Sequence, residues 1–360
     1  MSTTEAAVLE APRRLRLKEF DLPHIDAGTG ILRVEVAGIC TGTDSKLYDG
    51  KLDNPWPIIP GHEIVGVVES IGDALAETNG VQAGDRVILR GSRCGRCAAC
   101  RSNEWRFCPA NVGYGLRRST DVPPGLWGGY ARHVFLAPGA VLHRIDAALP
   151  PERALMGTVL ANAIFWTQYQ GGVRLGTSVV VQGVGQQGIA AVIASRHAGA
   201  RPIVAVGLTG DERRLELAQF FGADVTLRAD AEDAVGKVRE ATEGRMADVV
   251  VEVTGAHDAF LRALDLVHPG GTIVYASLIG REARIPVPMD ALVYKQIRVQ
   301  GVYSKTPESV DLALAYLKTG RVSIENMITH RLPLRRAAEA IELAGRRGEV
   351  LKVVLVPEAR

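Results

Sequence analysis

The stretch TSVVVQGVGQQGIAAVIASRHAGA, residues 177–200, decides the fold. It opens with a β-branched run, turns through Gly183-Val184-Gly185-Gln186-Gln187-Gly188 and continues as an Ala/Ile-rich helical pattern. Strand, G-x-G-x-x-G and helix in that order is the context that turns a weak motif into a useful one. Gly183 permits the tight turn, Gly185 lets the backbone approach a pyrophosphate, and Gly188 allows the helix to pack closely on the strand. The helix N-terminus then offers partial positive charge to the phosphates. A lone G-x-G-x-x-G is often only a turn, but RPIVAVGLTG (201–210) supplies a second strand after the helix. The reading is a dinucleotide-binding unit.

The second strand of such a unit should end in an acid that holds the adenosine ribose 2′-OH. Counting along it puts that position at Gly207, where no acid stands; Thr209, Asp211, Arg213 and Arg214 follow. Without the carboxylate a 2′-phosphate meets no repulsion there, and the arginines offer it a partner, so the reading favours NADP over NAD. Arg213 and Arg214 also read as the solvated start of the helix ERRLELAQFFG (212–222). Thr254, in ADVVVEVTGA (247–256), is grouped with the cofactor residues. That run, GGTIVYASL and QIRVQGVYS are glycine-bounded and apolar, with helical stretches such as HDAFLRALDLVH between them. Alternating strand and helix argues for a parallel, doubly wound sheet.

Working outward, residues before about 150 carry short β-rich pieces (ILRVEVAG, EIVGVVESIG, DRVILRG, GGYARHVFLAPG) among frequent Gly and Pro turns, the pattern of a mostly β lobe. The tail EVLKVVLV is strand-like and is expected to rejoin that lobe. A chain of 360 residues exceeds one comfortable core, so two domains are expected. Apolar residues make up 47% and charged residues 23%, as in an ordinary globular enzyme. A net charge of +2 gives no basic field for nucleic acid. The start MSTTEAAVLEAPRR lacks the apolar core of a signal peptide, and no apolar run has the ~18 residues of a membrane span. The expectation is a soluble, cytoplasmic protein with no membrane partner.

Four of the five cysteines crowd into SRCGRCAACRSNEWRFCPAN (92–111). In a reducing cytosol clustered thiols are poor disulfide candidates and good metal ligands. Cys94, Cys97, Cys100 and Cys108 follow C-x2-C-x2-C-x7-C, and four thiolates in one loop can wrap a tetrahedral zinc and leave no open position, which makes the site structural. Reduced buried cysteines and an iron–sulfur cluster are the competing readings.

GICTGTDSKLYDG (38–50), PGHEIVGVVESIG (60–72), the four-cysteine lobe and GVGQQG occur in one order along the chain. In that order they resemble the medium-chain zinc-dependent alcohol and polyol dehydrogenases, over essentially the whole sequence. The resemblance implies a GroES-like catalytic domain at 1–155 and 304–360, with its structural zinc lobe at 92–110, around a Rossmann domain at 156–303. It implies hydride transfer between an alcohol or ketone and a nicotinamide, and a homodimer or homotetramer. It implies a second, catalytic zinc held by Cys40 and His62, with Glu63 beside the ion. Asp44 would orient the ligand histidine, and Thr43 would contact the substrate alcohol. A Lewis acid that offsets charge on the substrate oxygen is what hydride departure from carbon requires.

Four features bear on that comparison. The segment Cys40-Thr41-Gly42-Thr43-Asp44 is one residue longer than C-x-T-D, so a short bulge is expected. Lys46 stands at the usual relay histidine. The family's further Cys or Glu ligand falls in ALMGTVLANAIFW (154–166), at Gly157 or Val159, and neither can bind zinc. Arg90 falls near a pocket-lining position, where a cation suits a polar, polyol or anionic substrate, or else is a surface arginine at a strand end. Alternatives are a zinc-independent, NADPH-dependent enone or quinone reductase of the same fold, and a non-catalytic dinucleotide-binding protein.

Overall fold

A computed structural model describes residues 2–280, 283–346 and 348–357. The chain forms two compact units: Met1–Met156 with Ser323–Arg346 and Lys352–Arg360, and Gly157–Val322 with Arg347–Leu351. The return to the first unit was expected at 304. It comes at Ser323, because the helix Pro307–Lys318 belongs with the second unit. Among the described residues no helix is long and apolar enough to cross a membrane.

The first unit begins with the antiparallel pair β1 (Thr3–Ala11) and β2 (Arg14–Asp21). Its main sheet uses β3 (Gly30–Gly38), β4 (Glu63–Ile71), β5 (Arg86–Ser92), β6 (His133–Leu136) and β7 (Ala140–Arg144). In the second unit, β8 (Val179–Gln182), β9 (Ile203–Gly207), β10 (Val225–Arg228), β11 (Ala247–Glu252), β12 (Val267–Tyr275) and β13 (Arg298–Gly301) follow in sequence. The chain then closes with β14 (Ile328–Pro333) and β15 (Lys352–Val356), which return to the first sheet.

Among the described residues that first sheet has seven strands, in the order β14-β15-β3-β4-β5-β7, with β6 on β3. The pairing of β15 with β3, Val354 opposite Gly38 and Leu355 opposite Ala37, carries the C-terminal segment to the residues just before Cys40. The second sheet has six parallel strands in the order β10-β9-β8-β11-β12-β13. Such a sheet is covered on both faces, so its strands read as continuous apolar runs. Val179, Val180, Val181 and Gln182 are all buried, as is every residue of β9. Strand order reverses at β8, and ligands bind outside the strand C-termini at such a switch point. The glycine turn leaves β8 at that end and enters the helix Gln186–His197, which is buried from Gln186 to Ser195 apart from Gln187. Its run of alanines brings the helix close to the sheet.

Candidate metal and dinucleotide sites

In the cysteine lobe the ligand atoms of Cys94, Cys97, Cys100 and Cys108 all lie within 4.8 Å of one another. Thiolates at the corners of a zinc tetrahedron stand roughly 3.8 Å apart, given a Zn–S bond of ~2.3 Å. Here Cys97 Sγ is 3.5 Å and Cys94 Sγ 4.0 Å from Cys100 Sγ, so the donor set fits the ion. Backbone N–H groups of Arg96 and Cys97 draw the Cys94 thiol down to about 6. Burial and the neighbouring thiols push Cys100 up to about 11. Arg90 lies with its guanidinium 5.1 Å from the Trp105 ring centroid, stacked on this lobe.

A second group is built by the strand end at Gly38 and the start of β4. The ligand atoms of Cys40, His62 and Glu63 also lie within 4.8 Å of one another. Cys40 is the N-terminal cap of the helix Thr41–Tyr48. Its carbonyl accepts both the Thr43 amide at 2.9 Å and the Asp44 amide at 2.7 Å, a tightened first turn. The extra residue is therefore wound into a helix and forms no bulge. Cys40 and Asp44 come to stand one turn apart on one helix face, where residues four apart meet. The Cys40 thiol points at the Thr43 hydroxyl, 3.7 Å away. Lys46 sits farther along the same helix, half-buried, and burial followed by the charge of Lys51 holds it below its ordinary value.

Asp44 ties this group together. Its Oδ2 accepts the Cys40 amide at 2.8 Å and the Tyr130 hydroxyl at 2.7 Å, and its Oδ1 faces His62 Nδ1 at 3.4 Å. Burial works to raise the Asp44 pKa, but His62, the Cys40 amide and Tyr130 outweigh it and hold the carboxyl low. Burial opposes a charge on His62 as well, and the Asp44 carboxylate overrides it, raising the imidazole well above its ordinary value. With Nδ1 turned to Asp44, Nε2 is the nitrogen left for an ion. Glu63 is buried and paired with the fully buried Lys352, whose ammonium also donates to the Ile39 carbonyl at 3.0 Å. The sequence reading missed both Tyr130 and Lys352. For Lys352 a signal existed: one lysine inside an apolar strand destined for the interior. The segment 154–166 lies in the helix Pro151–Ile164 and the π-helical turn that follows, and Gly157 and Val159 bring no donor atom.

At the glycine turn, Gly183 has φ +102°, and a Cβ there would come within 2.8 Å of Thr254 Cγ2, so Thr254 lines the turn. A Cβ on Gly188 would sit 1.7 Å from the Gly183 carbonyl oxygen. A Cβ on Gly185, the cap of the helix, would meet nothing within 4 Å. The amide oxygens of Gln186 and Gln187 are buried without a hydrogen-bond partner. Tight contact beneath the turn and open space above it, at a helix N-terminus whose first backbone N–H groups are donors, fit a dinucleotide pyrophosphate. Arg213 is exposed and pairs with Glu216 at 3.1 Å. Arg214 pairs with Asp211 at 3.4 Å and donates to the Val350 carbonyl at 2.6 Å.

A doubly wound sheet with a glycine turn, in a chain whose other unit carries a four-thiolate cluster and a mixed Cys/His/Glu cluster, defines a metal-dependent nicotinamide oxidoreductase. Residues 26–147 match the alcohol dehydrogenase GroES-like domain, and residues 187–319 the zinc-binding dehydrogenase domain. The sequence is 37% identical to a probable alcohol dehydrogenase of Mycobacterium tuberculosis, covering 99% of both chains. It is 30% identical to the sorbitol dehydrogenase of Halalkalibacterium halodurans, covering 91% of each. The solved alcohol dehydrogenase of Thermus sp. ATN1 superposes with a TM-score of 0.86 at 31% identity, covering 98% of this chain and all of that one. The chain belongs to the zinc-dependent alcohol and polyol dehydrogenase family of medium-chain dehydrogenases. It is an oxidoreductase acting on CH–OH groups, moving a hydride between an alcohol and its ketone with NAD(P).

Proposed function

We propose that Cys40, His62 and Glu63 form the catalytic metal site of a dehydrogenase for secondary or polyol alcohols, and that Cys94, Cys97, Cys100 and Cys108 hold a structural zinc. The observation that carries this reading is the pair of separate donor clusters with different chemistry, one closed by four thiolates and one mixed. When bound, the catalytic metal supplies Lewis-acid polarisation of the substrate oxygen, and the nicotinamide carries the hydride. The protein does the rest. Asp44 fixes Nδ1 of His62 as the protonated nitrogen and orients the ring, with Tyr130 and the Cys40 amide holding Asp44 in turn. Thr43, beside the Cys40 thiol, would accept the substrate O–H proton while handing its own proton on, and Lys46 on the same helix, in its neutral amine form, would be the acceptor that releases it to solvent.

The cofactor residues are Gly183, Val184, Gly185, Gln186, Gln187 and Gly188, with Gly207, Thr209 and Thr254 at the neighbouring strand ends. Arg213 and Arg214, the basis for expecting NADP, already face carboxylates, which weakens that preference. A polyol substrate is supported by the sorbitol dehydrogenase among the relatives. Arg90 does not add to it, since its guanidinium stacks on Trp105. A homodimer is supported by the edge strand β13, which pairs with β12 on one side and with no strand on the other among the described residues, a template for a second copy. Val293, Tyr294 and Val299 stand exposed around it.

Metal analysis tests the reading. Two zincs per chain are expected. Cys40→Ser should lose one of them together with turnover of secondary alcohols and keep its fold by circular dichroism. Cys97→Ser should lose the other and chiefly lose stability. One zinc per chain with full turnover would remove the catalytic metal, and equal unfolding of both variants would remove the division of labour.

A further inference from the structure

We propose that Asp211 supplies the carboxylate that receives the adenosine ribose 2′-OH, so that the protein selects NAD over NADP. The inference rests on the dinucleotide reading of the glycine turn. In doubly wound nucleotide folds an acid at the end of the second strand accepts from the ribose hydroxyl and repels a 2′-phosphate. Here that strand is β9, and it ends in Gly207, which has no side chain.

The space at that strand end is filled from elsewhere. A Cβ built on Gly207 would lie 3.1 Å from Val184 Cγ2, 3.2 Å from Leu215 Cδ2 and 3.2 Å from Asp211 Cβ. Ordinary carbon contacts are roughly 3.5–4.0 Å, so these three side chains already crowd the place a side chain at 207 would start. Val184 belongs to the glycine turn itself. Asp211, four residues on, folds back over the strand end, and the glycine leaves room for it to do so.

The carboxylate of Asp211 is held on two sides. Its Oδ2 accepts the Leu208 amide at 3.1 Å, and its Oδ1 faces Arg214 Nη1 at 3.4 Å. Arg214 is itself tethered through Nη2 to the Val350 carbonyl. A carboxylate has about four acceptor positions, so one contact on each oxygen leaves capacity for a ribose hydroxyl.

The backbone N–H groups of the loop are similarly engaged. Leu208 donates to Asp211, Thr209 to both oxygens of Asp230 at 2.9 and 3.1 Å, and Gly210 to Glu212 at 3.0 Å. Three consecutive amides that could cradle a phosphate each point at a carboxylate instead. The cations nearby are matched as well: Arg213 with Glu216, Arg214 with Asp211, and Arg228, opposite Gly207 in the ladder, with Glu232. A 2′-phosphate would have to displace a carboxylate from an amide or an arginine, whereas a ribose hydroxyl needs only an acceptor.

Calorimetric binding of NAD+ and NADP+ to the zinc-loaded full chain tests this without turnover. Wild type is expected to bind NAD+ at least about tenfold more tightly than NADP+. Asp211→Asn keeps the side chain's shape and removes its charge, and it should collapse that ratio mainly by weakening NAD+. The pair Gly207→Asp with Asp211→Gly moves the acid to the strand end and should restore the ratio, which a merely structural role for Asp211 would not do. An NADP+ preference in wild type, or an unchanged ratio in a folded Asp211→Asn protein, overturns the assignment and leaves the dinucleotide site standing. Binding of neither nucleotide would overturn the dinucleotide reading itself, and the assignment with it.

Discussion

Removing a single hydroxyl from Tyr130 tests whether Cys40 and His62 are positioned by the buried carboxylate between them. The Tyr130 ring also lies under Gly61, at φ +93°, where a Cβ would come 2.4 Å from the ring. Tyr130→Phe keeps that packing and deletes only the 2.7 Å bond to Asp44. A hydrogen bond to a charged group contributes about 1.5–3 kcal/mol. Asp44 is 1% exposed, so water cannot replace the lost donor, and the cost belongs in the upper part of that range. In a unit of this size about 2–3 kcal/mol lowers Tm by roughly 5–10 °C. Outer partners of metal ligands typically alter metal affinity by about 10–100-fold. Thermal melts followed by circular dichroism, together with chelator titration of each zinc, would read both effects. On the proposed assignment, the zinc held by Cys40, His62 and Glu63 should leave at a chelator concentration at least about tenfold lower, while the four-cysteine zinc stays. Wild-type melting and chelator resistance would refute the positioning role. Loss of both zincs together would show general unfolding instead.

Two further outcomes follow from the same geometry. Lys352→Met removes the cation that lies against the buried Glu63 carboxylate and should cost about 3–5 kcal/mol in urea unfolding of the zinc-free protein, most of it recovered in Lys352→Met with Glu63→Gln; a single variant as stable as wild type would count against a buried ion pair. Wild type should sediment at twice the 38.6 kDa chain mass, and Val293→Glu with Tyr294→Glu, at side chains 70% and 85% exposed, should return the monomer; a wild-type monomer would remove β13 as an interface.

What could be read from the sequence was whatever local stereochemistry dictates. Gly183 is demanded by its φ of +102° and Gly188 by its contact with the Gly183 carbonyl, both within a six-residue turn, and the four clustered cysteines lie within one short loop, so spacing alone exposes them. Alternating apolar runs gave the parallel sheet because a sheet covered on both faces has no polar side to disguise it. Tyr130 and Lys352 were illegible in role because their partners Asp44 and Glu63 are 86 and 289 residues away in sequence. Tyr130 sits in GGYARHV, which reads only as strand. The expected bulge after Cys40 failed for a related reason: with Asp44 returning to the Cys40 amide, an added residue closes a helical turn at little cost. The arginines after β9 looked available to a 2′-phosphate because a linear reading shows charges but not the acids they face.

On the proposed assignment, donor charge explains why two clusters in one unit would take different roles. Four thiolates bring four negative charges to a dication and complete a tetrahedron, so the lobe at 92–111 has neither an open position nor positive charge to lend. Cys40 as thiolate and His62 as neutral imidazole bring one negative charge between them. Glu63 would add a second, but the Lys352 ammonium lies against its carboxylate and offsets it. With zinc bound, the mixed donor set would bring less negative charge to the ion than four thiolates do, the condition for stabilising negative charge on a substrate oxygen. A lysine carried in on β15, through its pairing with β3, would thus bear directly on how strong a Lewis acid the residues at Cys40 and His62 could hold.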